Sequence, residues 1–210
     1  MSTSPSRSPV NYSSSRRLTS KNSEQNVFNR LTSETKQSPM PERGIIKIYS
    51  GNTNRFRSYP VTLTHVAEGH SKAILSIDSN DFKLYTGSKD RTAKIWDIIT
   101  GQEIAALNDH NNNVIKIRYC RNTQLCFTAT SSYVKVWDLR ESSTKCIKNL
   151  SPSGLVYDGN TPFSVMNKTK ILQNDNQNLD QNINDLAIDE FGNYLYIAAG
   201  NSIKIWDLKQ

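Results

Sequence analysis

The chain has 210 residues, of which 36% are hydrophobic and 21% are charged, enough to fold around one sizeable core. Its formal net charge of +7 sits at one end: residues 1–60 contain ten Lys or Arg and three Asp or Glu, whereas residues 61–210 contain sixteen of each. The part after residue 60 is therefore neutral, which argues against specific nucleic-acid binding through a basic face. No apolar run approaches the roughly 18 residues that a transmembrane helix needs, so no membrane span is predicted.

Residues 1–60 are predicted to form a disordered, basic linker rich in Ser and Arg. Residues 1–40 hold few apolar side chains, so burial cannot offset the entropy of ordering them. Its Ser-Pro pairs are candidate phosphorylation sites, and phosphates there would cancel much of the charge. The functional hypothesis is a weak electrostatic attachment to an acidic polymer surface that phosphorylation would release, and the alternative is a plain soluble linker. Because the first 23 residues lack acids, a mitochondrial presequence is also considered, although Pro5 and Pro9 would break its helix. A short strand is a candidate within residues 44–49.

The cysteines and histidines do not suggest a metal site. Cys120, Cys126 and Cys146 are odd in number and form no CxxC pair, which is typical of reduced thiols in a cytosolic protein. None of the three histidines stands at a ligand spacing from them, so neither a metal nor another cofactor is predicted.

From residue 61 onward the sequence repeats a unit three times, at about residues 61–97, 103–138 and 145–207. Each copy contains short runs of alternating apolar residues and closes on a Trp-Asp pair. The distance from the first apolar strand residue to the tryptophan is 22, 23 and 23 residues, measured between Ile74 and Trp96, Val114 and Trp137, and Ile183 and Trp206. Such a match of spacing predicts three structural repeats. An Asn- and Gln-rich insertion at residues 151–181 is predicted to be a disordered loop.

A Gly-His pair, Gly69-His70, opens the first copy, and a Lys-Asp turn, Lys89-Asp90, precedes its last strand. Together with the closing Trp96-Asp97 these residues resemble one blade of a WD40 β-propeller. The sequence therefore predicts an all-β partial propeller of about three four-stranded blades at residues 61–210. Because a propeller usually closes with four to eight blades, a fragment, a truncated isoform or an incomplete gene model is expected. The remaining blades would be supplied in cis or by another chain.

In such a blade a buried indole N–H needs an acceptor, and a loop histidine and a turn aspartate complete a hydrogen-bonded chain. The members predicted for the first copy are His70, Thr86 or Ser88, Asp90 and Trp96. Those of the second copy are His110, Thr128 or Thr130, and Trp137, with serines in place of the turn aspartate, and the third copy keeps only Trp206. Ser, His and Asp this close together superficially suggest catalysis. The order and the tryptophan partner belong to the fold, however, and no nucleophile elbow is present, so no catalytic residue and no enzyme is predicted.

Several stretches carry a more specific resemblance: Ala67-Glu68-Gly69-His70 and the runs 86–92, 130–140 and 198–208. They are similar to the start of the C-terminal WD40 propeller of kinesin-4-family motors of the kinesin-21 type. The resemblance implies a parent motor that restrains microtubule growth at plus ends, with a propeller that contacts partners and microtubules. The 210 residues contain no G-x-x-x-x-G-K-[ST] phosphate loop and no long heptad stretch, so they predict neither a motor nor a stalk here.

The preferred hypothesis is a non-catalytic interaction module, cytoplasmic and associated with the cytoskeleton, whose partners are tubulin, microtubules or microtubule-associated proteins. The alternative is a generic WD40 scaffold, such as a ubiquitin-ligase substrate adaptor. Loop cations would meet the acidic tubulin surface, and a tyrosine would serve as an anchor. The predicted contact residues, which otherwise are merely solvated loop positions, are Lys72, Lys89, Arg91, Asn112, Asn113 and Tyr133.

Overall fold

The computed structural model describes residues 43–50, 62–140, 144–172 and 181–209. Within them the chain is nearly all β, as predicted, with fourteen strands in four antiparallel sheets and one helix. Residues 1–42 and 51–61, which hold most of the predicted linker, lie outside the described residues.

Two short strands come before the first repeat. β1 (Ile45–Ile48) pairs antiparallel with β2 (His65–Glu68). The candidate strand within residues 44–49 is confirmed as β1. The prediction of disorder as far as residue 60 is therefore wrong at these residues, because the strand has a partner later in the chain. It also has a second anchor, since the Ile46 N–H donates to the Gly101 carbonyl at 2.7 Å. β2 lies within the first predicted copy of the repeat, residues 61–97.

The first blade consists of four strands paired in sequence order: β3 (Ile74–Ser79), β4 (Lys83–Ser88), β5 (Ala93–Asp97) and β6 (Glu103–Leu107). β4 and β5 are buried along most of their length, which suits the β-branched and aromatic side chains they carry.

The second blade repeats this order and extends it. Its strands are β7 (Lys116–Cys120), β8 (Leu125–Ala129), β9 (Val134–Asp138) and β10 (Lys145–Leu150), and a fifth strand, β11 (Val156–Asp158), pairs with β10. Helix α1 (Phe163–Leu172) follows. The predicted disorder of the 151–181 insertion is therefore wrong for residues 151–172, because β10 offers an open edge that β11 pairs with. Residues 173–180 lie outside the described residues.

The third blade has three described strands, β12 (Ile183–Ile188), β13 (Tyr194–Ala199) and β14 (Ser202–Asp207). The first strands of the blades lie next to one another. Ser76 Oγ and Asp78 Oδ2 on β3 accept hydrogen bonds from backbone N–H groups of β7 at 3.2 and 2.8 Å, and Lys116 on β7 pairs with Asp185 on β12 at 3.1 Å. The three sheets are therefore stacked in chain order.

The aspartate of each Trp-Asp pair has the same local role. Its Oδ1 accepts the backbone N–H two residues later, at 2.8 Å for Asp97, 3.0 Å for Asp138 and 2.8 Å for Asp207. A side chain that bonds its own backbone in this way stabilises a tight turn. The repeated aspartate thus ends the third strand of each blade and starts the turn that follows it.

The hydrophobic core lies between the blades rather than within one of them. Alternate residues of β8 point to opposite sides, so Cys126 packs with Tyr85 and Ile95 of the first blade, while Phe127 packs with Leu186 and Leu195 of the third. A strand whose two faces are both buried is expected to be almost continuously apolar, as Leu125–Ala129 is.

Candidate interaction face and its supporting network

The first blade contains a continuous chain of four side chains. The Trp96 Nε1–H donates to Thr86 Oγ1 at 2.9 Å, and Thr86 Oγ1 lies 2.8 Å from His70 Nε2. His70 Nδ1 lies 2.8 Å from Asp90 Oδ2. A carboxylate only accepts, so Nδ1 carries the imidazole proton, Nε2 accepts, and the Thr86 hydroxyl donates to it. One hydroxyl therefore accepts from the indole and donates to the imidazole.

Of the two predicted candidates, Thr86 supplies the hydroxyl of this network and Ser88 does not. In the β4–β5 register Leu84 is opposite Trp96, so Thr86 is one diagonal step from the indole. Ser88 is two residues further, or about 7 Å along the strand. Its hydroxyl instead bonds the carbonyls of residues 72 and 73 and accepts the Asp90 N–H at 3.1 Å. The Ser88 hydroxyl therefore stabilises the turn, and the Thr86 hydroxyl bonds the tryptophan indole.

Asp90 is stabilised as a carboxylate. Burial alone would raise its pKa, but hydrogen bonds from Thr92 and His70 outweigh that effect and lower the pKa below its usual range. The His70 and Asp90 side chains are only 2% and 8% exposed. The network is therefore a buried support for the loops above it and is not open to a substrate.

The second blade has the same hydrogen-bonded network of tryptophan, threonine and histidine, but the histidine has a different final acceptor. Trp137 Nε1 donates to Thr128 Oγ1 at 2.8 Å, and that hydroxyl lies 2.8 Å from His110 Nε2. His110 Nδ1 lies 3.1 Å from the Arg91 backbone carbonyl, so the first blade supplies the acceptor that the second lacks. Burial, and then the positive charge of Lys135, lower the pKa of His110 to about 4. His110 is therefore neutral at physiological pH.

Trp206 of the third blade has no such chain. Its Nε1 is buried and has no hydrogen-bond partner among the described residues. Its place in the network was predicted from the Trp-Asp spacing alone, and the structure shows only the packing half of that role, with the ring against the core between the second and third blades.

Three loops next to these hydrogen-bonded networks are joined to one another by backbone hydrogen bonds. They are residues 69–73, 88–92 and 109–114, and we call them the loop cluster. The Lys89 N–H donates to the Ala73 carbonyl at 2.9 Å, and the Val114 N–H donates to the Ser88 carbonyl at 3.0 Å. The loop cluster contains five of the predicted contact residues, of which Lys72, Lys89, Arg91 and Asn112 are exposed and Asn113 is half-buried. The structure therefore brings these five positions into one connected region.

The three cations of the loop cluster have no carboxylate partner. Within the described residues, Lys72, Lys89 and Arg91 take part in none of the seven ion pairs. Asp90, the acid that lies between Lys89 and Arg91 in the sequence, is occupied by His70 and Thr92. The loop cluster thus presents three cations outside the ion pairs of the described residues, against one exposed acid, Asp109.

The match to a family model decides what kind of repeat this is. The model described as "WD domain, G-beta repeat" matches residues 61–97, 101–138 and 171–207, which is more than half of the chain. The chain belongs to the WD40 family. Its blades, Trp-Asp turns and buried His-Thr-Trp chains are those of a WD40 protein-interaction domain.

The relatives include kinesin-like proteins, in agreement with the resemblance seen in the sequence. "Kinesin-like protein KIF21A" of Homo sapiens is 42% identical over 206 residues, covering 89% of this chain and 12% of that protein. "Kinesin-like protein KIF21B" of Mus musculus is 41% identical over 201 residues, with the same coverages of 89% and 12%. "Kinesin-like protein klp-12" of Caenorhabditis elegans is 33% identical over 154 residues, covering 73% of this chain and 10% of that protein. The chain thus spans about an eighth of the length of the first two.

Tyr133, the sixth predicted contact residue, is not a surface anchor of the WD40 domain. It is 4% exposed, and its ring meets Phe163 and Tyr157 edge to face at centroid distances of 5.5 and 6.3 Å. Burial raises the pKa of its phenol to about 12. The prediction was wrong because the insertion, which was expected to be a loop without structure, packs over this tyrosine.

Gly44 and Glu103 were not predicted from the sequence, yet both contact the first-blade tryptophan or its neighbours. The Gly44 N–H donates to Glu103 Oε2 at 2.6 Å, and a Cβ at Gly44 would overlap the Trp96 ring. The available signal was the similarity of Ile46-Lys47-Ile48-Tyr49 to Ala93-Lys94-Ile95-Trp96, which marks β1 as another third-strand sequence.

None of the described helices is long and apolar enough to cross a membrane.

Proposed function

We propose that this chain is the WD40 interaction module of a kinesin-like protein and that its loop cluster contacts microtubules or microtubule-associated proteins. The observation that carries the proposal is the positive charge of Lys72, Lys89 and Arg91 on hydrogen-bonded loops. A preorganised basic patch favours an acidic partner surface, because the charges need no rearrangement on binding. The names of the relatives supply the class of partner, since kinesins act on microtubules.

The contribution of the module would be attachment and not chemistry. Its polar side chains are used to hold loops, as the buried His70 and Asp90 illustrate, and the networks end on carbonyls or carboxylates of the fold. Movement along microtubules and control of their growth would be properties of a parent protein, placed in the cytoplasm on the cytoskeleton. The module would position that parent or recruit its partners.

The test is co-sedimentation of the 210-residue chain with stabilised microtubules at several salt concentrations. The double variant Lys89→Glu/Arg91→Glu should bind at least about fivefold more weakly, because two attractions become repulsions. The control Lys204→Glu/Lys209→Glu makes the same change of net charge on and after β14, away from the loop cluster. It should bind within about twofold of the parent chain.

Two outcomes would contradict the proposal. The first is equal binding by the parent and the Lys89→Glu/Arg91→Glu variant. The second is an equal loss in both double variants, which would mean that the chain's overall charge, and not the loop cluster, attracts it to microtubules.

A further inference from the structure

The first and second blades carry different residues at the position opposite their tryptophan. In the strand register Glu103 is opposite Trp96, and Cys146 is opposite Trp137. Two residues before each tryptophan, on the same strand and face, is a lysine: Lys94 in the first blade and Lys135 in the second. The second blade therefore keeps the lysine and the tryptophan but has a thiol where the first has a carboxylate.

In the first blade this group is complete. Lys94 Nζ pairs with Glu103 Oε2 at 2.6 Å, and their side chains are 13% and 8% exposed. The same carboxylate oxygen accepts the Gly44 N–H, and the Gly44 backbone lies against the Trp96 ring. A carboxylate, a lysine and an extended piece of main chain thus cover the tryptophan together.

In the second blade the lysine lacks its carboxylate. Lys135 Nζ lies 4.0 Å from the Cys146 sulfur and 5.6 Å from the centre of the Trp137 ring, and it takes part in none of the ion pairs between described residues. Burial raises the pKa of the Cys146 thiol, so this group is neutral and does not balance the lysine. A half-buried ammonium with no described carboxylate within ion-pair distance is unfavourable and attracts an anion.

A cleft of about 550 Å³ opens over Lys135 and Trp137. Its apolar walls include Phe163 and Met166 of α1, and its polar lining includes Asn149. The charged residues that line it are Lys135, Lys145 and Asp109, so its net charge is positive. The cleft is much larger than a carboxylate group. It lies over Trp137 of the second blade, at the position that corresponds to the one that main chain and Glu103 occupy over Trp96 in the first blade.

We propose that this cleft binds an extended acidic peptide segment of a partner protein, with one carboxylate on Lys135 and main chain against Trp137. The chain's own linker, residues 1–60, is a poor occupant of this positively charged cleft, because it holds ten Lys or Arg against three Asp or Glu. The first blade supplies the precedent for both contacts in the same molecule. The site uses none of Lys72, Lys89 and Arg91, the cations on which the proposed function rests, although Asp109 of the loop cluster lines it.

The test measures binding of a fluorescein-labelled hexaglutamate peptide to the 210-residue chain by fluorescence anisotropy, with hexaglutamine as the neutral control. Lys135→Met, which keeps the aliphatic stem, should weaken binding at least about tenfold. Cys146→Glu, which installs the first-blade carboxylate, should weaken it as much, because Lys135 then has an internal partner. Lys204→Met removes the same charge from the third strand of the third blade and should leave binding within about twofold.

Thiol protection gives a second measurement on the unaltered chain. Cys146 is partly accessible whereas Cys120 and Cys126 are buried, so iodoacetamide should modify Cys146 first. Hexaglutamate should slow this reaction at least about fivefold, and hexaglutamine should not. Equal protection by acetate at the same carboxylate concentration would overturn the peptide proposal in favour of a small-anion site. Unchanged binding by Lys135→Met, equal weakening by Lys204→Met, or an unslowed Cys146 reaction would each overturn it entirely.

Discussion

Replacing Thr86 by valine tests the buried chain of the first blade at its centre. Valine keeps the shape of threonine and removes the hydroxyl that accepts from Trp96 Nε1 at 2.9 Å and lies 2.8 Å from His70 Nε2. Both partner groups stay buried, since Trp96 is 0% exposed and the His70 side chain is 2% exposed. A buried polar group left without a partner costs about 1–3 kcal/mol, so losing two such bonds should cost about 3 kcal/mol.

The assay is urea unfolding followed by circular dichroism, with thermal melting as a second measure. A loss of this size corresponds to a decrease in Tm of roughly 10 °C for a domain of this length. The control is Thr86→Ser, which keeps the hydroxyl, deletes one methyl group and should cost only about 1 kcal/mol. On a Trp96→Phe background, which has no indole N–H, Thr86→Val should cost at least about 1 kcal/mol less. Equal stabilities of Thr86→Val and Thr86→Ser, or additive effects in the double variant, would refute the reasoning.

Three further predictions concern other parts of the fold. Trp206→Phe should leave the free energy of unfolding unchanged or raise it slightly, because Trp206 Nε1 has no described hydrogen-bond partner. Trp137→Phe should lower it by about 1–2 kcal/mol, because it removes the hydrogen bond to Thr128. Matched urea titrations compare the two variants, and equal losses would count against this difference. Because the folded pKa of His110, about 4, lies below its unfolded value of 6.5, its contribution is complete above pH 6.5. It should fall by about 3 kcal/mol as the pH drops to 4, and a His110→Gln variant that shows the same pH slope would disprove the assignment. Gly44→Ala should destabilise the chain by about 1–3 kcal/mol, since its Cβ would overlap the Trp96 ring; an unchanged Tm would contradict this packing.

The sequence predicts well those features that are local and repeated. The three Trp-Asp pairs mark the ends of β5, β9 and β14, because each aspartate bonds its own turn within two residues. The strands between them follow from alternating apolar residues, which the buried faces of adjacent blades require.

Features that depend on distant partners were not predictable in this way. The apolar residues at 44–49 predict a short strand there, but not its pairing with β2, some twenty residues later. Tyr133 looked exposed in a turn, yet Tyr157 and Phe163 of the insertion cover it. The choice of Thr86 over Ser88 depends on the register of two strands, which the repeat spacing does not specify.

The bond from His110 to the Arg91 carbonyl has a consequence for folding. The cooperativity of a repeat array increases with the strength of the interfaces between its units relative to the stability of each unit. Here a backbone carbonyl of the first blade accepts the hydrogen bond from the histidine of the second. Local opening of the turn at residues 88–92 would leave the buried His110 Nδ1–H without a partner, so the two blades should open together as one foldon. Amide protons of β4 and β8 are accordingly expected to exchange with a common free energy, even though they belong to separate sheets.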